Sequence, residues 1–203
     1  MPDITSSATL LVLVAVLSYL LGSVPFGIVI TRAMGLGDLR QIGSGNIGAT
    51  NVLRTGNKGA AAATLLLDAG KGAVAVLVAR ATAGQDAAQL AALCSFLGHL
   101  FPVWLRFKGG KGVATFIGTL LALAWPVGLA TCATWAVAAL VTRISSLGAL
   151  TAAALSSLWL VMFHQGQMMF LVAILTVLVY LRHWANLERI KKGTEPRIGQ
   201  KKA

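Results

Sequence analysis

The sequence predicts an all-α, polytopic integral membrane protein with seven transmembrane helices, its amino terminus outside and its carboxyl terminus cytoplasmic. Three observations lead there. Of 203 residues, 57% are hydrophobic and only 11% charged, whereas an average soluble domain carries about a quarter charged residues. The apolar residues fall in long runs, at 7–30, 59–79, 87–105, 112–124, 126–142, 146–163 and 167–182. The basic residues gather on alternate connections between those runs. A crossing consumes about 20 apolar residues, so the chain reads as a single membrane-embedded domain over 1–203.

The count depends on the stretch from Gly112 to Val141. As one helix it would be about 30 residues and about 45 Å long, too long for one ordinary crossing. Trp125-Pro126 lies in the middle, where proline ends or kinks a helix and tryptophan favours the interface, so the stretch divides into two helices, the first of them short. Charge tests the division. With seven spans, one side collects Arg32, Arg40, Arg54, Lys58, Arg106, Lys108, Lys111, Arg143 and the basic tail from Arg182 to Lys202, and the other keeps only Arg80. Fusing the two helices would break that asymmetry, against the positive-inside rule.

The net charge of +11 would suggest nucleic acid in a soluble protein. Flanking apolar spans, it records insertion orientation and contact with anionic lipid, and no nucleic-acid partner is expected. Cys94 and Cys132 sit in apolar runs without metal-site or disulfide-framework spacing and read as small packing residues. The first apolar run exceeds 20 residues and lacks a basic region before it, so it reads as a retained span.

The polar segments carry the chemistry. "GSGNIGATNVLRTGNKG" (43–59) formally satisfies G-x-G-x-x-G, but a dinucleotide site needs a βαβ unit that a transmembrane setting does not offer. Two readings remain: an anion nest, with glycine N–H groups joined by Ser44, Asn46, Thr50 and Asn51, or a solvated turn before the second helix. "FKGGKGVAT" (107–115) sets glycines and two lysines at a helix start, where backbone donors, dipole and ammonium groups can converge on an anion. It is not a Walker A motif, since the spacer and the Ser or Thr after the lysine are missing. A positive-inside stop signal would need only the charge.

Asp68 and Lys71 lie three residues apart inside the second span, on one helix face, either as a functional intramembrane pair or as a pair that orders the bundle. His99 is equally readable as a packed residue or a catalyst. His164 is expected on the outer connection, and His183 shares a helix face with Asn186 at the end of the last span. Lys191, Lys192, Lys201 and Lys202 read as a basic segment on the inner leaflet. There is no G-x-S-x-G, H-E-x-x-H or CxxC, and neither His99 nor His183 is followed five positions on by Asp, which removes serine hydrolase, zinc peptidase, dithiol and soluble His/Asp acyltransferase readings.

Together, "GSVPFG" (22–27), "GSGNIGATN" (43–51), "LDAGKG" (67–72), "GHLFPVWLRFKGGKGVAT" (98–115) and "RHWANLERIKKGTE" (182–195) resemble the bacterial PlsY family, in order over nearly the whole chain. The resemblance implies an inner-membrane enzyme that moves a fatty acyl group from acyl phosphate to the 1-position of glycerol 3-phosphate, giving lysophosphatidic acid and phosphate. It implies that Ser44, Asn46, Thr50 and Lys111, with Gly110 beside the lysine, hold the acyl phosphate, and that Arg54, Ser146 (or Ser145), His183 and Asn186 orient glycerol 3-phosphate. Ser44, Lys111 and His183 are the catalytic candidates. The expected partners are the two substrates, the bilayer and an upstream enzyme that makes acyl phosphate. No cofactor is expected, and the carboxylates are too few and scattered for a magnesium cage.

Both substrates carry phosphate, which suits two basic glycine loops on one face, and the acyl tail is apolar, which suits a site at the membrane surface. The competing class is a transporter or flippase of a phosphorylated metabolite or anionic lipid. It would carry polar groups through the midplane and on both faces, whereas here they cluster on one face apart from Asp68 and Lys71. A noncatalytic lipid-binding scaffold would leave five separate polar segments without a purpose.

Overall fold

The computed structural model describes residues 2–199, so Lys201 and Lys202 lie outside the described residues. Every regular element among them is helical. Five helices are long and apolar enough to cross a membrane: Ala8–Ala33, Lys58–Ala83, Gln85–Leu105, Trp125–Thr142 and Ser145–Met162. A sixth crossing is available if Gly166–Arg182 and Trp184–Lys191, bent by 61°, act as one span. The expected segment at 112–124 is helical only over Val113–Leu123, about 16 Å at 1.5 Å per residue, which is about half the hydrocarbon thickness. Large apolar side chains, Leu66, Leu140 and Val141 among them, lie on the outside of the spans, while Thr64, Asp68, Lys71, Ser95, His99 and Thr119 are buried. That inversion is what a chain solvated by lipid tails requires.

The chain forms two compact units that divide between Leu123 and Ala124, at the Trp125-Pro126 interruption read from the sequence. The first contains α1 (Ala8–Gly22), α2 (Phe26–Ala33), the short α3 (Ala49–Val52), α4 (Lys58–Ala83), α5 (Gln85–Leu100) and α6 (Val113–Leu123). The run expected at 7–30 is therefore broken at Ser23-Val24-Pro25, where proline has no N–H to continue the ladder. Its helices approach backbone to backbone. A methyl group at Gly22 would lie 2.0 Å from the Ser95 carbonyl oxygen, one at Gly98 2.2 Å from that of Tyr19, and one at Gly118 2.1 Å from that of Ala69. Small residues are the means of tight helix packing where lipid removes the hydrophobic drive between helices.

Exposed ends are answered by side chains. Asn57 caps α4 by accepting from the Ala60 N–H (2.9 Å). Arg80, the one basic residue expected on the opposite side, donates to the carbonyls of Ala122 (2.8 Å) and Leu123 (2.9 Å) that end α6. A cation at a helix carboxyl end is favourable, so Arg80 has a structural partner. The Asp86 carboxylate accepts from the N–H groups of Thr5 (3.0 Å) and Ser6 (2.9 Å), tying the start of the chain to the α4–α5 corner.

The second unit contains α7 (Trp125–Thr142), α8 (Ser145–Met162), α9 (Met169–Arg182) and α10 (Trp184–Lys191). Pro126 occupies the first turn of α7, where its missing N–H is harmless. Trp159 Nε1 donates to Thr134 Oγ1 across α7 and α8 (3.0 Å), and Thr176 and Tyr180 donate from α9 to the α8 carbonyls of Ala153 (3.0 Å) and Leu150 (3.2 Å).

The glycine contacts give a paired test in detergent. Gly118→Ala overpacks the α4–α6 crossing and should cost about 1–3 kcal/mol, visible as a lower thermal midpoint. Gly70, with open space around its Cα, should tolerate alanine or gain up to about 1 kcal/mol from helix propensity.

Candidate functional site

The first polar loop folds around Asn51. Its side-chain Nδ2 donates to the carbonyls of Leu39 (3.0 Å) and Ile42 (2.9 Å), and its Oδ1 accepts from the Ser44 N–H (3.1 Å). Asn51 is buried. Sequence reasoning counted it among the anion donors, but its donors are used in shaping the loop, because burial obliges an amide to find partners within the protein. Gly43 and Gly45 have φ of +55° and +70°, the left-handed region that favours glycine. Asn46 Oδ1 accepts from the Ile47 N–H (2.9 Å). The Arg54 guanidinium lies over Gly43, where a methyl group would come within 2.5 Å of Nη1. Ser44, Thr50 and Arg54 are on the surface of the loop.

The lysine loop is folded back onto the end of α5. Gly109 N–H donates to the Leu100 carbonyl (3.1 Å), Gly110 N–H to the His99 carbonyl (3.1 Å) and Phe107 N–H to the Pro102 carbonyl (3.0 Å). A methyl group at Gly109 would lie 2.2 Å from the His99 carbonyl oxygen, one at Gly110 2.2 Å from His99 Nε2, and one at Gly112 2.3 Å from Phe96 Cε2. The three glycines are thus demanded by close packing of the loop on α5. Two of their amides are committed to α5 carbonyls, which narrows the expected convergence of backbone donors on an anion. Lys111 follows them, half-buried, two residues before the first residue of α6. Leu105 packs against the cluster of Leu39, Ile47 and Val52 under the first loop, so the two glycine loops share one end of the first unit.

In the second unit the expected serine and asparagine converge on a carboxylate. Glu195 Oε1 accepts from Ser146 Oγ (2.6 Å) and from Asn186 Nδ2, and Oε2 accepts from Arg189 Nε (2.7 Å). Ser146 and Asn186 are buried, and Ser146 is the serine of the Ser145-Ser146 pair that takes this bond. The Ile198 N–H donates to the Arg143 carbonyl (2.7 Å), closing the tail onto the α7–α8 corner. Glu195 ends the motif at 182–195, and the resemblance gives it no role. The signal was there: it is one of only six carboxylates in the chain and sits in a strongly basic tail, where a carboxylate finds cationic and hydrogen-bond donors. His183, buried at the α9–α10 bend, places Nδ1 2.8 Å from the Val179 carbonyl oxygen. A carbonyl only accepts, so Nδ1 carries the hydrogen and Nε2 holds the lone pair of the neutral ring.

Lipid-facing helices with buried polar interiors define an integral, multi-pass membrane protein. Residues 12–193 match the glycerol-3-phosphate acyltransferase family. A glycerol-3-phosphate acyltransferase of Cereibacter sphaeroides is 69% identical over 201 residues, covering 99% of this chain and 96% of that one. One of Ruegeria pomeroyi is 66% identical over 203 residues, covering 100% of both. The crystal structure of PlsY (YgiH), an integral membrane glycerol 3-phosphate acyltransferase, in its glycerol 3-phosphate form, superposes with a TM-score of 0.87 at 38% identity, over 93% of this chain and 96% of that one. Its lysophosphatidic acid form gives 0.86 at 36% identity, over 93% and 95%. The chain belongs to the PlsY family of glycerol-3-phosphate acyltransferases, and the transporter reading is set aside.

Burial pushes the Glu195 carboxyl up, but donation from Ser146, Asn186 and Arg189 outweighs it and holds the pKa below its ordinary 4.5. A carboxyl depressed in the folded state contributes stability that is complete above its unfolded pKa and fades as pH falls through the folded one. Proteolysis of the tail after Lys192 should therefore stay slow down to about pH 5 and accelerate in stronger acid. Glu195→Gln should be cleaved faster at neutral pH, with little further change on acidification.

Proposed function

We propose that this glycerol-3-phosphate acyltransferase takes its acyl group from acyl phosphate and delivers it to the sn-1 hydroxyl, releasing lysophosphatidic acid and inorganic phosphate. This would be the first step of phospholipid synthesis, at the cytoplasmic face of the bacterial inner membrane, in a single domain whose seven apolar segments leave the amino terminus outside. The observation that carries the acceptor is the likeness to a relative crystallised in a glycerol 3-phosphate form. The donor rests on the residue set together with the family resemblance: a lysine flanked by tightly packed glycines, and Ser44, Asn46 and Thr50 on a second glycine loop at the same end of the first unit.

Acyl phosphate is a mixed anhydride with a good leaving group, so positioning and charge stabilisation supply most of what the reaction needs. The sn-1 oxygen attacks the acyl carbonyl carbon, the bond from that carbon to the phosphate oxygen breaks, and phosphate departs with the electron pair. The hydroxyl proton passes to a phosphate oxygen of the substrates or to His183 Nε2. Ser44, Asn46, Thr50 and Lys111 serve the acyl phosphate, with Gly110 setting the place of the lysine because its own amide is held by α5, and Arg54, Ser146, His183 and Asn186 serve glycerol 3-phosphate. The acyl group is transferred directly, without an acyl-enzyme, and an upstream enzyme that phosphorylates or phosphorolyses acyl groups supplies the donor.

Purified protein with palmitoyl phosphate and glycerol 3-phosphate should release phosphate, and palmitoyl-CoA should not replace the donor. Lys111→Ala should lower turnover by about a hundredfold or more, the scale of one lost charge stabiliser; unchanged turnover would reduce the lysine loop to a topological signal. Mass spectrometry after mixing with palmitoyl phosphate alone should find the unmodified protein mass, and a stable acyl adduct would overturn direct transfer.

A further inference from the structure

Asp68, Lys71 and His99 remain outside the roles given above, yet they form the most polar cluster in the interior of the first unit. Their exposures are 2%, 4% and 4%. Lys71 Nζ lies 2.9 Å from Asp68 Oδ1 and donates at 2.8 Å to the Val24 carbonyl at the proline break, which also accepts from the Phe26 N–H (3.1 Å). His99 Nδ1, from α5, lies 3.6 Å from the same Asp68 oxygen. Thr115, in the first turn of α6, donates through Oγ1 to the Asp68 backbone carbonyl (2.9 Å). One aspartate thus connects the α1–α2 break, α4, α5 and the start of the helix that follows Lys111.

The imidazole has two sides, and each has a neighbour. Nδ1 faces the carboxylate. Nε2 abuts Gly110 so closely that the glycine has no room for a methyl group, and the His99 backbone carbonyl holds the Gly110 N–H. From these contacts we propose that Asp68 and His99 are positioning residues for the lysine loop: the carboxylate orients the ring, the ring edge and carbonyl seat Gly110, and Lys111 is thereby placed for the acyl phosphate. The pair acts through Gly110 and touches no reacting atom. The closeness of the fit sets its importance, because a displacement of about 1 Å in a catalytic group costs up to about a hundredfold in rate.

The proposal rests on the phosphate-binding reading of Lys111, and two separate readouts keep them apart. Three variants serve: His99→Gln keeps a polar atom near Nε2 and loses the one facing Asp68, His99→Asn does the reverse, and Asp68→Asn removes the orienting charge. Each should lower kcat ten- to a hundredfold with less than a threefold change in the KM for glycerol 3-phosphate. Hydrogen exchange of the peptide covering 106–112 should rise at least tenfold, while peptides from the middle of α4 and α5 keep their protection. Adding His99→Gln to Lys111→Ala should lower turnover less than twofold further.

Unchanged exchange at 106–112 in the His99 variants would overturn the positioning role, whatever their activity. So would a drop in activity accompanied by loss of protection throughout α4 and α5, which would make the cluster a fold determinant. Raised exchange together with full turnover in Lys111→Ala would leave the positioning role standing and remove the phosphate role of Lys111. Should Asp68→Asn fail to fold, the His99 variants keep the Asp68–Lys71 pair and decide the matter alone.

Discussion

Inside a bilayer a carbonyl oxygen that loses its helical partner has no water to turn to, and this constraint organises the molecule. At the break before α2 the Val24 carbonyl takes a tight turn bond from the Phe26 N–H (3.1 Å) in place of a regular helical one, and Lys71 adds a second donor from α4. The end of α6 exposes Ala122 and Leu123, and Arg80 answers them. Some hydroxyl groups in the spans turn back to their own helices, as Thr31 does to Gly27 and Thr64 to Ala60, both at 2.8 Å, and others bridge helices, as Thr115 does to Asp68 and Thr176 to Ala153. A basic residue that a charge count treats only as a mark of sidedness can therefore also be a structural part, as Arg80 is.

The same constraint explains why the glycines cluster where they do. A basic loop at a membrane surface could be built from flexible polar residues, but a loop that must sit at a defined place has to be bound to something rigid. Gly109 and Gly110 give up their amide hydrogens to α5 carbonyls and leave no space for side chains, so the loop is held by backbone contacts. The first loop is held differently, by one buried amide. Asn51 satisfies two carbonyls and a backbone N–H. It achieves with a side chain what the lysine loop achieves with a helix end. Holding a loop in this way lowers the cost of ordering it when a ligand binds.

Hydropathy and charge made the helical class and the division at Trp125-Pro126 legible, because both depend on composition over a window. The span count was less legible, since a long apolar run does not reveal whether its helix is continuous. Pro25 lay in plain view, but the Val24 carbonyl beside it accepts from a lysine 47 positions later, a contact that no local pattern encodes. For the same reason spacing recognised "GGKG" and "GSGN" as special without showing which donors were already committed. Resemblance pointed to Ser146 and Asn186, but not to the carboxylate that gathers them, because hydrogen bonds through Glu195 join residues 49 and 9 positions apart.

The Asp68–Lys71 pair is the costliest feature of the interior. A buried ion pair is often no more stabilising than well-packed apolar side chains of similar volume, and α4 could cross α6 on its glycines and alanines alone. Lys71 has a reason to be charged in the Val24 carbonyl, and its charge then calls for a nearby anion. Asp68 supplies one, but any carboxylate in reach would do so. What singles out position 68 is that the same oxygen also faces His99 while the Asp68 backbone accepts from Thr115. The residue needed to neutralise the lysine is placed to brace both helices that bound the lysine loop, α5 before it and α6 after it. Repairing a broken helix and seating a loop thus draw on one buried charge, so a single desolvation cost serves both tasks.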